Sequence, residues 1–126
     1  MIFDKLFRTQ DILGTALKAS EYKNQVLLNN IANNDTPGFK AQDVEFESVM
    51  REALDSYEIT GKIEPDNIMT QLYTRHTNYK TRIDKNNVDI ESEMVEFYKN
   101  AAKYDMITNC ILNDKNMINN VISGSK

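Results

Sequence analysis

The sequence predicts an all-α protein in which two long terminal helices pack together as a coiled-coil-like pair. Apolar residues recur at alternating steps of three and four in the first and last parts of the chain, and a shorter stretch between them has helical spacing. With 126 residues, the chain is long enough for one domain and short for two. We therefore predict a single domain, 1–126, divided into an N-terminal helix (1–34), a turn (35–42), a short helix (43–57), a loop (58–87) and a C-terminal helix (88–122).

The N-terminal helix is predicted from a seam of apolar residues that stays on one face. Polar residues interrupt this seam at Gln10, Ser20 and Asn24, and Gly14 is a weak point in the helix. Such a helix would be roughly 40 Å long, more than a small partner from the same chain can cover. Other protein surfaces are therefore expected to cover part of the seam, whose main residues are Leu6, Leu13, Leu17, Leu27 and Ile31.

A turn is predicted where the first helix stops. Asn33, Asn34 and Asp35 tolerate left-handed backbone, so the helix is expected to end at one of them. Pro37 cannot continue the helix, and Gly38 allows the positive φ that the third position of a type II turn needs.

The middle of the chain is predicted to hold one short helix followed by irregular backbone. Asp43 is a suitable N-cap, and a compact apolar face follows it as far as Tyr57. Residues 58–87 lack periodicity, and a loop of about thirty residues is expected to be partly disordered or ordered only against a partner. Within that loop, the residues from Thr81 to Val88 allow a short hairpin.

The last helix is predicted from the longest periodic stretch of the chain. Its cap is expected at Asn87 or Asp89, because Glu91 and Glu93 then lie in the first turn, where the helix dipole favours acids. Gly124 lies just beyond its end. Its seam is formed by Met94, Phe97, Ala101, Tyr104, Ile111 and Ile118.

No catalytic, cofactor-binding or metal-binding residues are predicted, so the chain is not expected to be an enzyme. His76 has no second histidine or cysteine near it in the sequence, and Cys110 lies on a helix without a nearby histidine. The formal net charge of −4 argues against a nucleic-acid groove. Charged residues interrupt every apolar run, so we expect neither a cleaved signal peptide nor membrane insertion. No small-molecule substrate is expected either.

Two strings of residues resemble those of one protein family. Asn-Asn-Ile-Ala-Asn-Asn-Asp-Thr-Pro-Gly-Phe-Lys, which begins at Asn29, closely resembles the N-terminal signature of bacterial flagellar axial proteins, the rod and hook subunits. Asn-Val-Asp followed by Glu-Met, which begins at Asn87, resembles the start of their last helix. Phe39 departs from the usual Tyr. The resemblance makes these residues an expected assembly motif: Asn30, Ile31, Ala32, Asn33, Thr36, Pro37, Gly38, Phe39, Asn87, Val88, Asp89, Glu93 and Met94.

The resemblance implies a structural subunit of the flagellar basal body that assembles with itself and with other rod proteins. The short chain and the order of its motifs look most like a proximal-rod subunit, with the sister rod subunit as the alternative. Such subunits are expected to lie in the periplasmic space beside the MS ring and the type III export gate, and to leave the cytoplasm without a cleaved signal peptide. A soluble helical adaptor that uses the same seams on another protein stays open as a second class of function.

Overall fold

The fold is built from three helices and a two-stranded sheet in the part of the chain that a computed structural model describes. That part comprises residues 2–63, 73–74, 83 and 85–124; for residues 2, 3, 6, 73 and 74 it is limited to the backbone. The elements in chain order are helix α1 (Ile2–Ala32), strand β1 (Gln42–Asp43), helix α2 (Phe46–Thr60), strand β2 (Tyr73–Thr74) and helix α3 (Ile90–Ser123).

Helices α1 and α3 pack side by side in antiparallel directions. The end of α1 meets the start of α3 at Asn30 and Glu93, and further along the pair Ser20 contacts Asn100. Beyond them, Leu13 of α1 lines the same groove as Ile111 of α3. The predicted all-α fold, with a long terminal pair and a short middle helix, is confirmed. None of the described helices is apolar over a length sufficient to cross a membrane.

Helix α2 packs against α1 through a small core of short apolar side chains. Val44, Val49 and Ala53 contact Ala19 and Val26 of α1, and all five are buried. Beyond this core, α2 continues towards the start of α1, where the Arg8 guanidinium carbon lies over the Tyr57 ring, 4.8 Å from its centre.

The boundaries of α1 and α2 differ from the predicted ones. Helix α1 ends at Ala32, one residue before the asparagines expected to end it. The predicted N-cap at Asp43 is wrong: this residue belongs to β1, and α2 begins at Phe46 after the extended Glu45. Residues 42 and 43 are extended because they pair with Thr74 and Tyr73 of β2, a contact that local sequence cannot reveal.

The predicted 58–87 loop is only partly described. Its first residues belong to α2, which runs to Thr60. Gly61 follows in a left-handed conformation and caps the helix, because its N–H donates to Tyr57 O over 2.8 Å. The strand pair β1–β2 is an element that the sequence did not predict. Most of the remaining loop, with His76 and the expected hairpin, lies outside the described residues; Val88 is described and buried.

Candidate assembly site

The two sequence motifs meet at one place in the fold, where α1 ends and α3 begins. We call this place the motif junction and define it as residues 29–44 together with residues 85–94. The motifs lie some fifty residues apart in the sequence, yet the Asn30 side chain of the first donates to Glu93 of the second over 2.9 Å, and the Asn87 N–H donates to Phe39 O over 3.3 Å.

Asn30 is the centre of the motif junction and has no exposed surface. Its Nδ2 donates to Gln42 O over 2.7 Å and to Glu93 Oε2 over 2.9 Å. Its Oδ1 accepts from the backbone N–H of Gln42 over 3.0 Å. One amide thus joins α1, β1 and α3, and it supplies the buried Glu93 carboxylate with a donor.

Asn86 stabilises the turn that follows α1. Its Nδ2 lies 3.0, 2.9 and 2.8 Å from the carbonyl oxygens of Asn33, Asn34 and Thr36, and its Oδ1 accepts from Val88 N over 2.7 Å. These carbonyls follow a helix end, where no helical partner remains for them. Asn86 is fully buried and was not among the predicted site residues; its position in a predicted loop gave no sign of this role.

Asn87 extends the same contact along the chain. Its Oδ1 accepts from Ala41 N over 2.6 Å, and its backbone N–H donates to Phe39 O over 3.3 Å. The segment between the turn and β1 therefore lies against the start of the second motif. The two bonds from Asn87 to Phe39 and Ala41 fix the direction of this segment.

The Thr36–Phe39 turn has the geometry that the sequence predicts. Gly38 has φ +73°, and Phe39 N donates to Thr36 O over 3.3 Å, which closes the four-residue turn. The Thr36 hydroxyl donates to Asn33 Oδ1 over 3.1 Å. The positive φ at Gly38 is confirmed.

The cap of α3 is one of the two that the sequence allows. Asp89 Oδ1 accepts from the backbone N–H groups of Glu91 and Ser92 over 3.2 and 3.4 Å. The side chain of Asn87, the alternative cap, accepts from the Ala41 N–H instead. Asp89 therefore supplies a negative group at the positive end of the helix dipole.

The predicted motif residues divide into an inner and an outer set. The inner set is buried or half-buried within the chain itself and holds the junction together: Asn30, Ile31, Asn33, Phe39, Asn87, Val88, Glu93 and Met94. The outer set is exposed and available to another molecule: Ala32, Thr36, Pro37, Gly38 and Asp89.

The predicted seam residues are buried or half-buried wherever their side chains are described. Leu27 is fully buried, while the side chain of Leu6 lies outside the described part. The other seam residues are half-buried: Leu13, Leu17, Ile31, Met94, Phe97, Ala101, Tyr104, Ile111 and Ile118.

A polar cluster lies within this seam. Asn100 is almost fully buried, and its Nδ2 donates to Ser20 O over 2.7 Å and to Asn24 Oδ1 over 2.9 Å. Ser20 Oγ donates to Asn100 Oδ1 over 3.2 Å. The polar seam positions Ser20 and Asn24 thus find a partner in Asn100, which the sequence did not single out. Buried amides of this kind fix the register of paired helices.

Ion pairs hold α2 and β1 beside the helix pair. Lys23 Nζ lies 3.8 Å from Asp43 and 4.0 Å from Glu96, and Lys103 Nζ lies 3.3 Å from Glu47. The pKa of Glu47 lies below its ordinary value, chiefly because its carboxylate accepts a hydrogen bond from its own backbone N–H. The hydrogen bond and the positive charge of Lys103 lower the pKa further, while burial acts in the opposite direction. Lys103 also lies over the Phe46 ring, 4.1 Å from its centre.

Apolar side chains remain exposed on α3. They lie on the parts of the helix that contact neither α1 nor the small core, and each is more than half exposed: Val95, Tyr98, Met106, Met117, Val121 and Ile122. Cys110 is a free, exposed thiol on this helix. No three His, Cys, Asp or Glu side chains are placed to hold a metal ion among the residues that the structure describes.

Comparisons with known proteins agree on one family. Over 121 aligned residues, the chain is 30% identical to the flagellar basal body rod protein FlgB of Bacillus subtilis (strain 168), covering 90% of this chain and 92% of that protein. It is 30% identical to FlgB of Escherichia coli (strain K12), covering 98% and 100%. It is 32% identical to FlgB of Aeromonas hydrophila, covering 81% and 80%. No protein-family model matches the chain.

Proposed function

The chain belongs to the FlgB family of flagellar basal body rod proteins, and on this premise we propose that it builds the rod by packing its two long helices against those of neighbouring copies. The rod is the flagellar part that these relatives are named for. In this proposal, the helix pair makes the contacts between subunits, and the motif junction determines the shape of each subunit.

The exposed apolar residues of α3 are the observation that carries this proposal. Met106, Met117 and Val121 are 68, 59 and 75% exposed, although α3 already packs against α1 through another face. A helix that is apolar on several faces is normally buried on several faces. Large apolar side chains left exposed in this number along one helix support a protein–protein contact there.

The motif junction supports the proposal in a different way. Asn30, Asn86 and Glu93 are satisfied within the chain and have no exposed surface, so they are assigned a structural role. Asn86 bonds the Thr36 carbonyl and so holds the turn at Thr36–Phe39 in one position. The exposed Pro37 and Gly38 at that turn are then presented in a fixed orientation to a neighbouring subunit.

The finer location in the flagellum is part of the same proposal. We assign the chain to the proximal rod, in the periplasmic space, beside the MS ring and the export gate, with export that needs no cleaved signal peptide. Support comes from the FlgB relatives and from the two motifs. The test is crosslinking from Pro37→Cys in a Cys110→Ser background in flagellated cells, followed by identification of the partner; a partner outside the basal body would contradict this location.

Self-association is the experiment that tests the main proposal. Purified full-length chain is expected to form polymers above a threshold concentration, as measured by sedimentation and electron microscopy. Met106→Glu should remove the polymers and leave the helical circular dichroism of the monomer unchanged, whereas Met106→Leu, which keeps the apolar surface, should retain them. A stable monomer or dimer at all concentrations that captures an unrelated protein would favour the helical adaptor instead.

A further inference from the structure

An open groove lies between α1 and α3 next to Gly14. It has a volume of about 280 Å³ and is lined by Gln10, Leu13, Gly14, Ile111, Asp114 and Lys115. This volume lies at the lower end of the range of about 300–1,000 Å³ that is usual for ligand pockets, and it leaves room for one large apolar side chain.

Nothing within the described chain explains why position 14 is glycine. Its φ is not among the positive values, which belong to Gly38 and Gly61, so the backbone does not require it. A Cβ added at Gly14 would meet no atom within 4 Å, so no internal contact requires it either. Glycine weakens a helix interior, yet here the missing side chain leaves a hole open to the outside.

A candidate to fill the hole lies on the same helix. Phe7 is 60% exposed and precedes Gly14 by seven residues, which places both on one face of α1, two helical turns apart. A large exposed ring and an open groove thus occupy the same face, about 10 Å apart along the axis.

The charges around the ring and the groove can pair between two copies. Asp114 and Lys115 line the groove, and neither forms an ion pair with any residue in the described part of the chain. Phe7 is followed by Arg8, which lies over the Tyr57 ring of the same chain and keeps its charge, and Asp11 lies one turn beyond Phe7 on the same face. Each of the two sites therefore carries one acid and one base.

We propose that Phe7 of one copy packs into the Gly14 groove of the next copy, with the two α1 helices parallel and offset by two turns. The proposal rests on the proposed function, because it names the contact through which copies assemble. The ring and the groove are different surfaces, so each copy still offers a free groove or a free ring after one contact has formed. A contact of this kind produces an open, helical polymer rather than a closed dimer.

Cysteine crosslinking tests the proposal directly. In a Cys110→Ser background, Phe7→Cys and Gly14→Cys are combined in the full-length chain and oxidised at a concentration far above the wild-type threshold, so that the weakened contact still forms. Two turns separate the two positions within one chain, beyond the reach of a disulfide, so a bond between them has to join two copies. The expected product is a ladder of covalent dimers, trimers and longer species.

A matched control shows whether the crosslinks are specific. Arg51→Cys with Glu58→Cys places two exposed cysteines at the same spacing on α2, outside the helix pair, and is expected to give at most traces of the ladder. Covalent dimers alone would overturn the open arrangement. Polymers without a Phe7–Gly14 ladder, or an equal ladder in the control, would overturn the contact but not the proposed function. If the Cys110→Ser parent forms no polymer, both the Phe7–Gly14 contact and the proposed function are contradicted.

A second measurement does not depend on cysteines. Phe7→Ala removes the ring and Gly14→Leu fills the groove, and each is expected to raise the threshold concentration for polymers at least tenfold while the monomer keeps its helical content. Because both changes remove the same contact, the double variant should be little worse than either single one. Effects that multiply in the double variant would contradict a shared contact.

Discussion

The Asn30 side chain donates to Glu93 Oε2 over 2.9 Å, and neither residue has any exposed surface. The same amide bonds the backbone of Gln42 in both directions. A buried carboxylate is costly unless donors surround it, so this pair is the point at which the two motifs depend on each other.

Replacing Asn30 with Ala should therefore destabilise the monomer. The change leaves the Glu93 carboxylate and both backbone groups of Gln42 without the Asn30 bonds, and we expect a loss of about 3 kcal/mol in the free energy of unfolding. Urea unfolding followed by circular dichroism measures it. Asn109→Ala, an exposed asparagine of α3, is the control and should change stability by less than about 1 kcal/mol. Equal losses in both variants would contradict the role of Asn30.

Sequence reasoning succeeded where the decisive chemistry is local. Gly38 has its positive φ because the residues beside it already demand a turn, and Asp89 caps α3 because the helix starts directly after it. It failed at Asp43, an equally good local cap. Residues 42 and 43 are held extended by distant partners: Asn30, which lies twelve residues before Gln42, and β2, which lies about thirty residues after Asp43. Asn86 was missed for the same reason, since its three carbonyl partners lie about fifty residues away.

Gly38→Val should strain the turn. Space does not forbid the change, since an added Cβ meets no atom within 4 Å, but φ is +73° and a left-handed conformation costs an L-residue about 1–2 kcal/mol. Gly38→Asn is the matched variant, because asparagine tolerates this region. We expect Gly38→Val to lower the midpoint of thermal unfolding and to reduce assembly, with Gly38→Asn close to wild type. Wild-type assembly by Gly38→Val would show that the turn does not need a left-handed residue.

The Glu47–Lys103 pair should make a small, pH-dependent contribution to stability. The pKa of Glu47 is lower in the folded chain than its ordinary value of 4.5, so the stabilisation is present above that value and is lost as the pH falls through the folded pKa. Because the Glu47 side chain is 69% exposed, the effect should be a few tenths of a kcal/mol. Glu47→Gln should be less stable than wild type at pH 7 and equal to it near pH 3. Asp105→Asn, the control, should show no such convergence, and a Glu47→Gln difference that persisted at pH 3 would exclude the ion pair as its cause.

The two ends of the helix pair should differ in stability. At the motif junction, α1 and α3 are held by buried side chains from Leu27, Asn30 and Glu93. At the other end, residues 4–14 and 106–123, no described side chain is buried. Ordering a residue's backbone costs about 1–2 kcal/mol, and there is little buried surface at this distal end to offset that cost.

Amide hydrogen exchange on the dilute monomer should therefore show slow exchange near the junction and fast exchange at the distal end. In the assembled polymer, the distal amides should become protected, because neighbouring copies cover the apolar residues of α3. Met106→Glu at a concentration that assembles wild type is the control: it should leave the distal end fast while the junction stays slow. Slow exchange along all of α1 and α3 in the dilute monomer would show that the pair is stable alone, and that assembly is not what orders its distal end.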